Sequence, residues 1–170
     1  LGDHATGAYG ASYIYDAHQL YAKWVRDITH TQRADSVVSD IAPRYWSVYS
    51  DNVTWPMAWY TVAAMLDEQY GDSQPIREAY EPMKKFMLHL KNRYDDHGII
   101  TRDVYGDWCL PPESPELIHS KDSTRITRGP VLATAAYYRL CRLMERFAGI
   151  AGKPADVARL QDDLTGTLVA

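Results

Sequence analysis

The residues best suited to chemistry lie in one short loop, Tyr105-Gly106-Asp107-Trp108. It places a carboxylate next to an indole, at a turn whose glycine allows the backbone to approach a ligand closely. A carboxylate accepts hydrogen bonds from sugar hydroxyls, and an aromatic ring packs on the apolar face of a pyranose, so this pair is typical of a carbohydrate site. The loop also fits a turn in which Asp107 is a cap and Trp108 is buried. Taken alone, it leaves both interpretations open.

The composition excludes several classes of partner. The 170 residues carry a mild net charge of −4 that is spread along the chain, so no basic face is offered to nucleic acid. No apolar run approaches the length of a membrane span, and we predict no membrane contact. Cys109 and Cys141 are too far apart for a C-x-x-C motif, and the six histidines lack ligand spacing. We therefore predict neither a metal site nor another cofactor.

Apolar residues at helical spacing predict about five main helices that must position the loop. The predicted helices cover about residues 7–32, 55–70, 76–90, 130–151 and 154 onward, and a short strand is predicted at 99–101. Residues 33–54 and 98–128 form long loops, which in compact domains are usually functional or mobile. Three acids of the second loop are predicted to be solvated: Asp103, Glu113 and Glu116.

The helices follow a recurring plan. Residues 66–83 and 144–164 both show an amphipathic helix end, a glycine break and a new helix that begins near a proline. Such recurrence indicates antiparallel helix hairpins packed in series. Two architectures have this property, an open α-solenoid and a closed barrel of concentric helices. The irregular lengths and the long aromatic loops argue against a regular solenoid.

Eight short motifs follow one another over nearly the whole chain. They are Tyr15-Asp16, Tyr21-Ala-Lys-Trp24-Val-Arg-Asp27-Ile, Gln32-Arg-Ala-Asp35, Ile41-Ala-Pro43, Val53-Thr-Trp55-Pro56, Tyr70-Gly71-Asp72, Gly106-Asp107-Trp108 and Ala133-Thr-Ala-Ala-Tyr-Tyr138. Each motif alone is weak, but the ordered set resembles the α-L-rhamnosidases of glycoside hydrolase family 78. The resemblance implies an (α/α)6 barrel of six inner and six outer helices, and hydrolysis of terminal α-L-rhamnosyl bonds with inversion. The implied partner is a rhamnose-containing glycan or glycoside.

The resemblance also implies roles for particular residues. The family signature D-C-P-x-R-x-E-x-x-G-W-x-G-D carries the general acid as its Glu, and Leu1-Gly2-Asp3 is similar to its end. Asp3 then corresponds to the final Asp, near the acid and the sugar, and is the catalytic candidate. Trp55 and Trp108 fall where the family places tryptophans that contact the sugar ring, and Asp107 precedes the second of these. We expect Asp3 to orient a hydroxyl, and Asp107 to cap the loop or bind the sugar.

The chain departs from the family pattern in two places. Pro56-Met57 stands where many members have Gly-Asp, and Ser36 replaces the usual glycine after the Gln-x-x-Asp motif. The general acid is expected upstream of residue 1 and the general base beyond residue 170. We therefore expect an all-α chain that forms about half of the barrel, with residues 1–170 as one partial catalytic domain cut at both ends. By itself it should be inactive, and held by the remainder of the parent protein or by self-association.

Two other functions fit the same sequence. A non-catalytic helical scaffold would bind a protein partner on a concave surface, with apolar residues along that surface and no sugar site. A barrel glycosidase with a different sugar specificity would share the fold, because a fold does not fix a function. The sequence leaves the compartment open between the periplasm or secretion and the cytoplasm of a bacterium.

Overall fold

The computed structural model describes the backbone of residues 1–107 and 109–168, and the side chains as far as residue 163. This part of the chain contains six helices and one two-stranded hairpin: α1 (Gly2–Ile14), α2 (His18–His30), α3 (Met57–Tyr70), α4 (Gln74–Tyr94), β1 (Asp95–Asp96), β2 (Ile99–Ile100), α5 (Gly129–Ile150) and α6 (Pro154–Leu168). The predicted all-α class is confirmed. The predicted short strand is confirmed as β2, which pairs antiparallel with β1. None of the described helices is long and apolar enough to cross a bilayer.

The single first helix predicted from Gly7 to Gln32 is wrong, because the structure divides it into α1 and α2. Helix α1 ends at Ile14, and the next residue, Tyr15, is extended with φ −127° and ψ 149°. The helical spacing of Ile14, His18, Tyr21, Val25 and Ile28 predicts one buried stripe across this range, but Ile14 is 71% exposed. Helix α1 is rich in Ala and Gly and has only Ala8 buried, so it carries no apolar stripe for α2 to continue.

The helices form two rows. In the first row α1 packs on α3 and α3 on α5, while in the second row α2 packs on α4. The second row continues to α6 through Asp156, whose carboxylate accepts from Lys84 at 2.6 Å and from the hydroxyl of Tyr80 at 3.0 Å. Helices α3 and α4, and likewise α5 and α6, are the hairpins that join the rows. The largest fully buried side chains of the core between them are Trp59, Tyr60, Tyr80, Phe86 and Phe147.

Local sequence explains how the α3–α4 hairpin turns. Gly71 follows α3 in the left-handed conformation at φ +66°, which a glycine adopts without steric cost. The N–H of Asp72 reaches back to the carbonyl of Leu66, so the end of α3 is closed by the hydrogen bonds typical of a glycine cap. This confirms the predicted stop at Gly71. The helix predicted from residue 55 begins two residues later, at Met57, with Pro56 at its N-cap.

Two long loops meet at one end of the first row. Residues 31–56 lead from α2 to the start of α3, and residues 101–128 lead from β2 to the start of α5. The hydroxyl of Thr54 in the first loop donates to Asp103 in the second at 3.0 Å. The nitrogen of Leu1 donates to the carbonyl of Asp40 at 2.9 Å, which brings the start of α1 to the same place. The N-terminal ends of the first-row helices and both loops therefore surround one region.

Candidate functional site

A cavity of about 440 Å³ opens in that region, between α1, α3 and α5. Asp3 from the first turn of α1 and the half-buried Trp55 before α3 both line it, together with the hydroxyl side chains of Thr6 and Thr61 and the guanidinium of Arg139. Asp3 is exposed and makes no hydrogen bond or ion pair with the described side chains, so its carboxylate is available to a ligand. The structure thus brings two of the residues predicted for the site into one pocket.

Trp55 is held between two close neighbours. Its ring stacks on that of Tyr105, with centroids 4.0 Å apart and planes 15° from parallel. On α1, a Cβ added to Gly2 would lie 3.0 Å from the indole Nε1 and 3.1 Å from Cδ1. A larger residue at position 2 would therefore require the ring or the start of α1 to shift by a few tenths of an ångström.

A buried carboxylate, Asp40, fixes the outer part of this arrangement. It is 1% exposed and accepts hydrogen bonds from the N–H of Ser50 at 3.0 Å, the amide of Asn52 at 3.2 Å and the hydroxyl of Tyr105 at 3.0 Å. Burial, and then the hydrogen bond to Asp40, raises the pKa of Tyr105, so the tyrosine stays a neutral donor. Asp40 is therefore linked to the pocket through Tyr105, which stacks on Trp55, although it does not line the cavity.

Asp103 ties the second loop to the first. Its Oδ1 accepts from Thr54 at 3.0 Å, and its Oδ2 accepts from the N–H of Gly106 at 2.6 Å. Asp103 is half-buried, so its prediction as a solvated loop residue is wrong. The error arose because a loop acid that bonds across to another loop has no signature in its own sequence neighbourhood. Glu113 and Glu116, predicted in the same way, are exposed.

Asp107 stands apart from the pocket residues. The Oδ2 of Asp107 accepts from the N–H and the hydroxyl of Thr127, at 3.3 and 2.9 Å, which joins the early part of the second loop to its last residues. Asp107 is not among the described residues that line the cavity of Asp3 and Trp55. Trp108 lies outside the described residues, so its contact with a sugar ring stays a prediction, as does any sugar contact of Asp107.

A polar network continues along the first row below the pocket. The hydroxyl of Tyr9, which also lines the pocket, donates to Glu68 at 2.6 Å, and Arg146 pairs with both Glu68 and Asp67. Burial, and then the hydrogen bond to Glu68, raises the pKa of Tyr9 to about 12. Burial alone would raise the pKa of Glu68, but the hydrogen bonds from Tyr9 and Arg146 outweigh it, and the pKa is lowered.

The pocket offers complementary groups to a polyhydroxylated ring. The indole of Trp55 supplies an apolar surface, the carboxylate of Asp3 accepts from hydroxyls, and the guanidinium of Arg139 donates. Inverting hydrolysis needs two carboxyl groups about 6.5–9.5 Å apart. Among the described residues that line the cavity, Asp3 is the one acid. The described lining residues therefore form a surface that could bind a sugar, with Asp3 as the one candidate for a catalytic acid.

Sequence reasoning missed Asp40, Tyr105 and Arg139 as members or supports of the site. Tyr105 lies in the same short loop as Asp107 and Trp108, but the carboxylate and indole of those neighbours predict the binding pair. Asp40 lies in a loop rich in Asp, Ser and Pro, where nothing marks one acid as buried. Arg139 lies on a helix whose neighbours in space are distant in sequence, so no local signal could have found it.

Comparisons with known proteins identify relatives of the chain. The family model for the bacterial alpha-L-rhamnosidase six-hairpin glycosidase domain matches residues 1–168. A curated alpha-L-rhamnosidase of Streptomyces avermitilis is 28% identical over 155 residues, which is 91% of this chain and 14% of that protein. One of Formosa agariphila is 29% identical over 169 residues, covering 87% of this chain and 16% of that protein. The chain thus spans a small part of the curated relatives that it matches.

Solved structures share the arrangement of helices. An alpha-L-rhamnosidase from Dictyoglumus thermophilum superposes with a TM-score of 0.81 at 30% identity, over 98% of this chain and 18% of that one. The Streptomyces avermitilis alpha-L-rhamnosidase complexed with L-rhamnose superposes with a TM-score of 0.80 at 26% identity, over 98% and 15% of the two chains. With the two rows of helices, these likenesses confirm the predicted partial (α/α)6 barrel.

Proposed function

Because the chain belongs to the family of bacterial α-L-rhamnosidase six-hairpin glycosidase domains, we propose that it forms the sugar-binding part of an enzyme that cleaves terminal α-L-rhamnosyl bonds. The substrate is a rhamnose-containing glycan or glycoside, and the bond is cleaved with inversion. Residues 1–170 contribute binding and orientation, while the general acid and the general base come from other parts of the barrel.

One observation carries this proposal: Asp3 and Trp55 line the same cavity, at the loop-covered end of the first row. A sugar needs an acceptor for its hydroxyls and a flat surface for its ring, and these two residues supply both. Trp55 is also positioned in advance, by Gly2 on one side and by Tyr105 on another, so little ordering remains to be done when the sugar binds.

The role of Asp3 follows from the number of carboxyl groups that inversion requires. Inversion requires one carboxylic acid to protonate the leaving oxygen and one carboxylate to activate water on the opposite face. Asp3 alone cannot do both. Its exposed carboxyl group suits an acceptor that orients a sugar hydroxyl, because it is open to the cavity and makes no bond with the described side chains. We therefore assign Asp3 to orientation.

The proposal is tested in the intact enzyme, meaning a complete six-hairpin domain that contains this chain. Trp55→Ala should lower kcat/KM on p-nitrophenyl α-L-rhamnoside by about 10–100-fold, a loss of about 1–3 kcal/mol of transition-state stabilisation. The matched control is Trp46→Ala, because Trp46 lies on the same loop, is 63% exposed and is not among the described lining residues. If Trp55→Ala and Trp46→Ala behave alike, Trp55 is a packing residue and the pocket assignment fails.

The stereochemistry has its own test. Proton NMR of the first product should show β-L-rhamnose before mutarotation, because inversion at the anomeric carbon of an α-glycoside gives the β-anomer. First appearance of the α-anomer would contradict the inverting part of the proposal. Hydrolysis of another glycoside in preference to the rhamnoside would contradict the assigned substrate class.

A further inference from the structure

Asn52 is a fully buried amide in the long loop between α2 and α3, with 0% of its surface exposed. The two ends of its amide face different parts of the structure. The Nδ2 group donates to Oδ1 of Asp40 at 3.2 Å and to the hydroxyl oxygen of Ser50 at 2.6 Å. The Oδ1 atom accepts from the N–H of Trp55 at 3.0 Å and lies 3.1 Å from the hydroxyl of Thr54. Both ends of the amide therefore have partners within the chain.

The acceptor end of Asn52 fixes the turn that leads into α3. A side-chain oxygen that accepts the N–H three residues later is the arrangement found at helix N-termini, where it satisfies a backbone donor that has no helical partner. Backbone bonds continue the turn, from the N–H of Met57 to the carbonyl of Val53 at 3.2 Å and from the N–H of Ala58 to the carbonyl of Trp55 at 3.0 Å. The N–H that Asn52 binds belongs to Trp55 itself, so the amide fixes the backbone that carries the pocket indole.

The residue before Asn52 is held by two other parts of the fold. Asp51 has φ +55°, a left-handed conformation that residues other than glycine rarely adopt. Its carboxylate accepts from the hydroxyl of Tyr94 at 2.6 Å and lies 2.9 Å from Nε2 of His89, and both of these residues are on α4. Arg102, from the second loop, donates to the carbonyl of Asp51 at 3.3 Å. Asn52 therefore starts from a backbone position that is already fixed.

Two connections run from the buried Asp40 to Trp55. Tyr105 bonds to Asp40 and stacks on the indole ring, while Asn52 bonds to Asp40 and to the backbone N–H. The place of a ring depends on its backbone as well as on its packing, so the stack alone does not fix the indole. An amide supplies the donor and the acceptor that this second connection needs, whereas an ionised aspartate of the same size has no donor.

We propose that Asn52 is a positioning residue for sugar binding, which joins the buried Asp40 to the backbone of Trp55 and so fixes where the pocket indole lies. This inference rests on the proposed function, since the residue that it positions is the one assigned there to the sugar ring. Asn52 acts through Trp55, because it is fully buried and is not among the described residues that line the cavity.

The experiment is a double-mutant cycle in the intact enzyme, measured as kcat/KM on p-nitrophenyl α-L-rhamnoside. Asn52→Ala should lower kcat/KM by about 10-fold, because a misplaced binding group costs transition-state stabilisation. In a Trp55→Ala background the same substitution should change kcat/KM by less than about twofold, since the group that it positions is gone. A merely structural role would lower kcat/KM by the same factor in both backgrounds. Asn92→Ala, at an exposed asparagine on α4, is the matched control, and thermal melting establishes that each variant is folded.

A reciprocal exchange tests the contact with Asp40. Asn52→Asp places two carboxyl groups 3.2 Å apart in a buried site, where like charges repel, and should lower kcat/KM. Adding Asp40→Asn restores one donor and one acceptor at this contact, and the new carboxylate at position 52 still accepts from the N–H of Trp55. The exchanged pair should recover kcat/KM to within about threefold of the wild type. In the Trp55→Ala background the difference between Asn52→Asp and the exchanged pair should disappear, which decides the matter even if Asn52→Ala does not fold.

The outcomes distinguish this inference from the proposed function. If Asn52→Ala leaves kcat/KM unchanged, or lowers it equally with and without Trp55, the inference is wrong while the assignment of Trp55 stands. An exchanged pair that is no faster than Asn52→Asp also contradicts the inference. If Trp55→Ala itself leaves kcat/KM unchanged, the sugar-binding role of Trp55 fails and the inference fails with it.

Discussion

The ring of Tyr105 stacks on the ring of Trp55 with centroids 4.0 Å apart. The two residues come from different long loops, so the stack fastens one loop to the other at the edge of the pocket. The hydroxyl of Tyr105 is in turn anchored on the buried Asp40, at 3.0 Å. The orientation of the pocket indole therefore depends on a tyrosine and an acid that do not line the cavity.

Substitutions at Tyr105 should separate its ring from its hydroxyl. Tyr105→Phe keeps the stack and removes one hydrogen bond to Asp40, so we expect a loss of about 1 kcal/mol in the free energy of unfolding and nearly normal kcat/KM. Tyr105→Ala also removes the stack, which is worth about 0.5–1.5 kcal/mol beyond its buried area, and should lower kcat/KM on a rhamnoside. Urea unfolding and initial rates measure the two effects. Equal activity of both variants would show that the stack does not position Trp55.

Alanine in place of Gly2 should disturb the pocket directly. The new Cβ would lie 3.0 Å from Nε1 of Trp55, a tighter contact than most Cβ atoms make, so the indole or the start of α1 must shift by a few tenths of an ångström. We expect a lower kcat/KM and a changed tryptophan emission spectrum. Gly10→Ala is the control on the same helix, because a Cβ there meets nothing within 4 Å and alanine is favoured in helices by about 0.5–1 kcal/mol. A Gly2→Ala enzyme with wild-type kinetics would contradict the close packing of α1 on Trp55.

The pH dependence of stability should carry a contribution from Glu68. Its pKa is lowered in the folded state because hydrogen bonds from Tyr9 and Arg146 outweigh the effect of burial. A depressed folded pKa stabilises the protein above the unfolded pKa, near 4.5, and this stabilisation is lost as the pH falls through the folded pKa. The stability difference between the wild type and Glu68→Gln should therefore shrink from pH 7 to pH 3.

The partner of Glu68 provides the check. In an Arg146→Met background the same Glu68→Gln substitution should show a weaker pH dependence, because one of the two hydrogen bonds that lower the pKa is gone. Urea midpoints of the four proteins at several pH values complete the double-mutant cycle. A difference between wild type and Glu68→Gln that is constant with pH would show that Glu68 has the same pKa in the folded and unfolded states.

Sequence periodicity predicted those elements whose burial is decided locally. Helices α4 and α5 each bury an apolar stripe and α3 is buried on nearly every face, so their apolar residues located them within a few residues. Helix α1 failed because its residues are small, its apolar stripe is absent, and Ile14 happens to lie four residues before His18. A helix held by close packing of Ala and Gly has no amphipathic signal to detect.

The candidate site was predictable only where the family resemblance marked it. Asp3 and Trp55 were found through motifs, and the structure places both in one pocket. Asp40 and Asp103 owe their roles to hydrogen bonds that cross between loops, to partners such as Tyr105 and Thr54. No local pattern distinguishes them from solvated acids, because their burial is decided by residues that are distant in sequence.

Expressed by itself, the chain of residues 1–170 should not hydrolyse rhamnosides and should self-associate. Among the described residues the pocket offers a single acid, Asp3, and losing a general acid alone costs about 10²–10⁴-fold in rate. A groove on α5 and β2 is lined by apolar groups, with Val131 58% and Ile99 39% exposed, and apolar surface left open in this way favours association. Val131→Glu should shift the mass measured by light scattering toward the monomer, while Leu20→Glu on α2, where Leu20 is 58% exposed and lies outside the groove, should not. Robust turnover of p-nitrophenyl α-L-rhamnoside would mean that these residues hold a complete carboxylate pair, and a stable monomer would favour an independent scaffold domain.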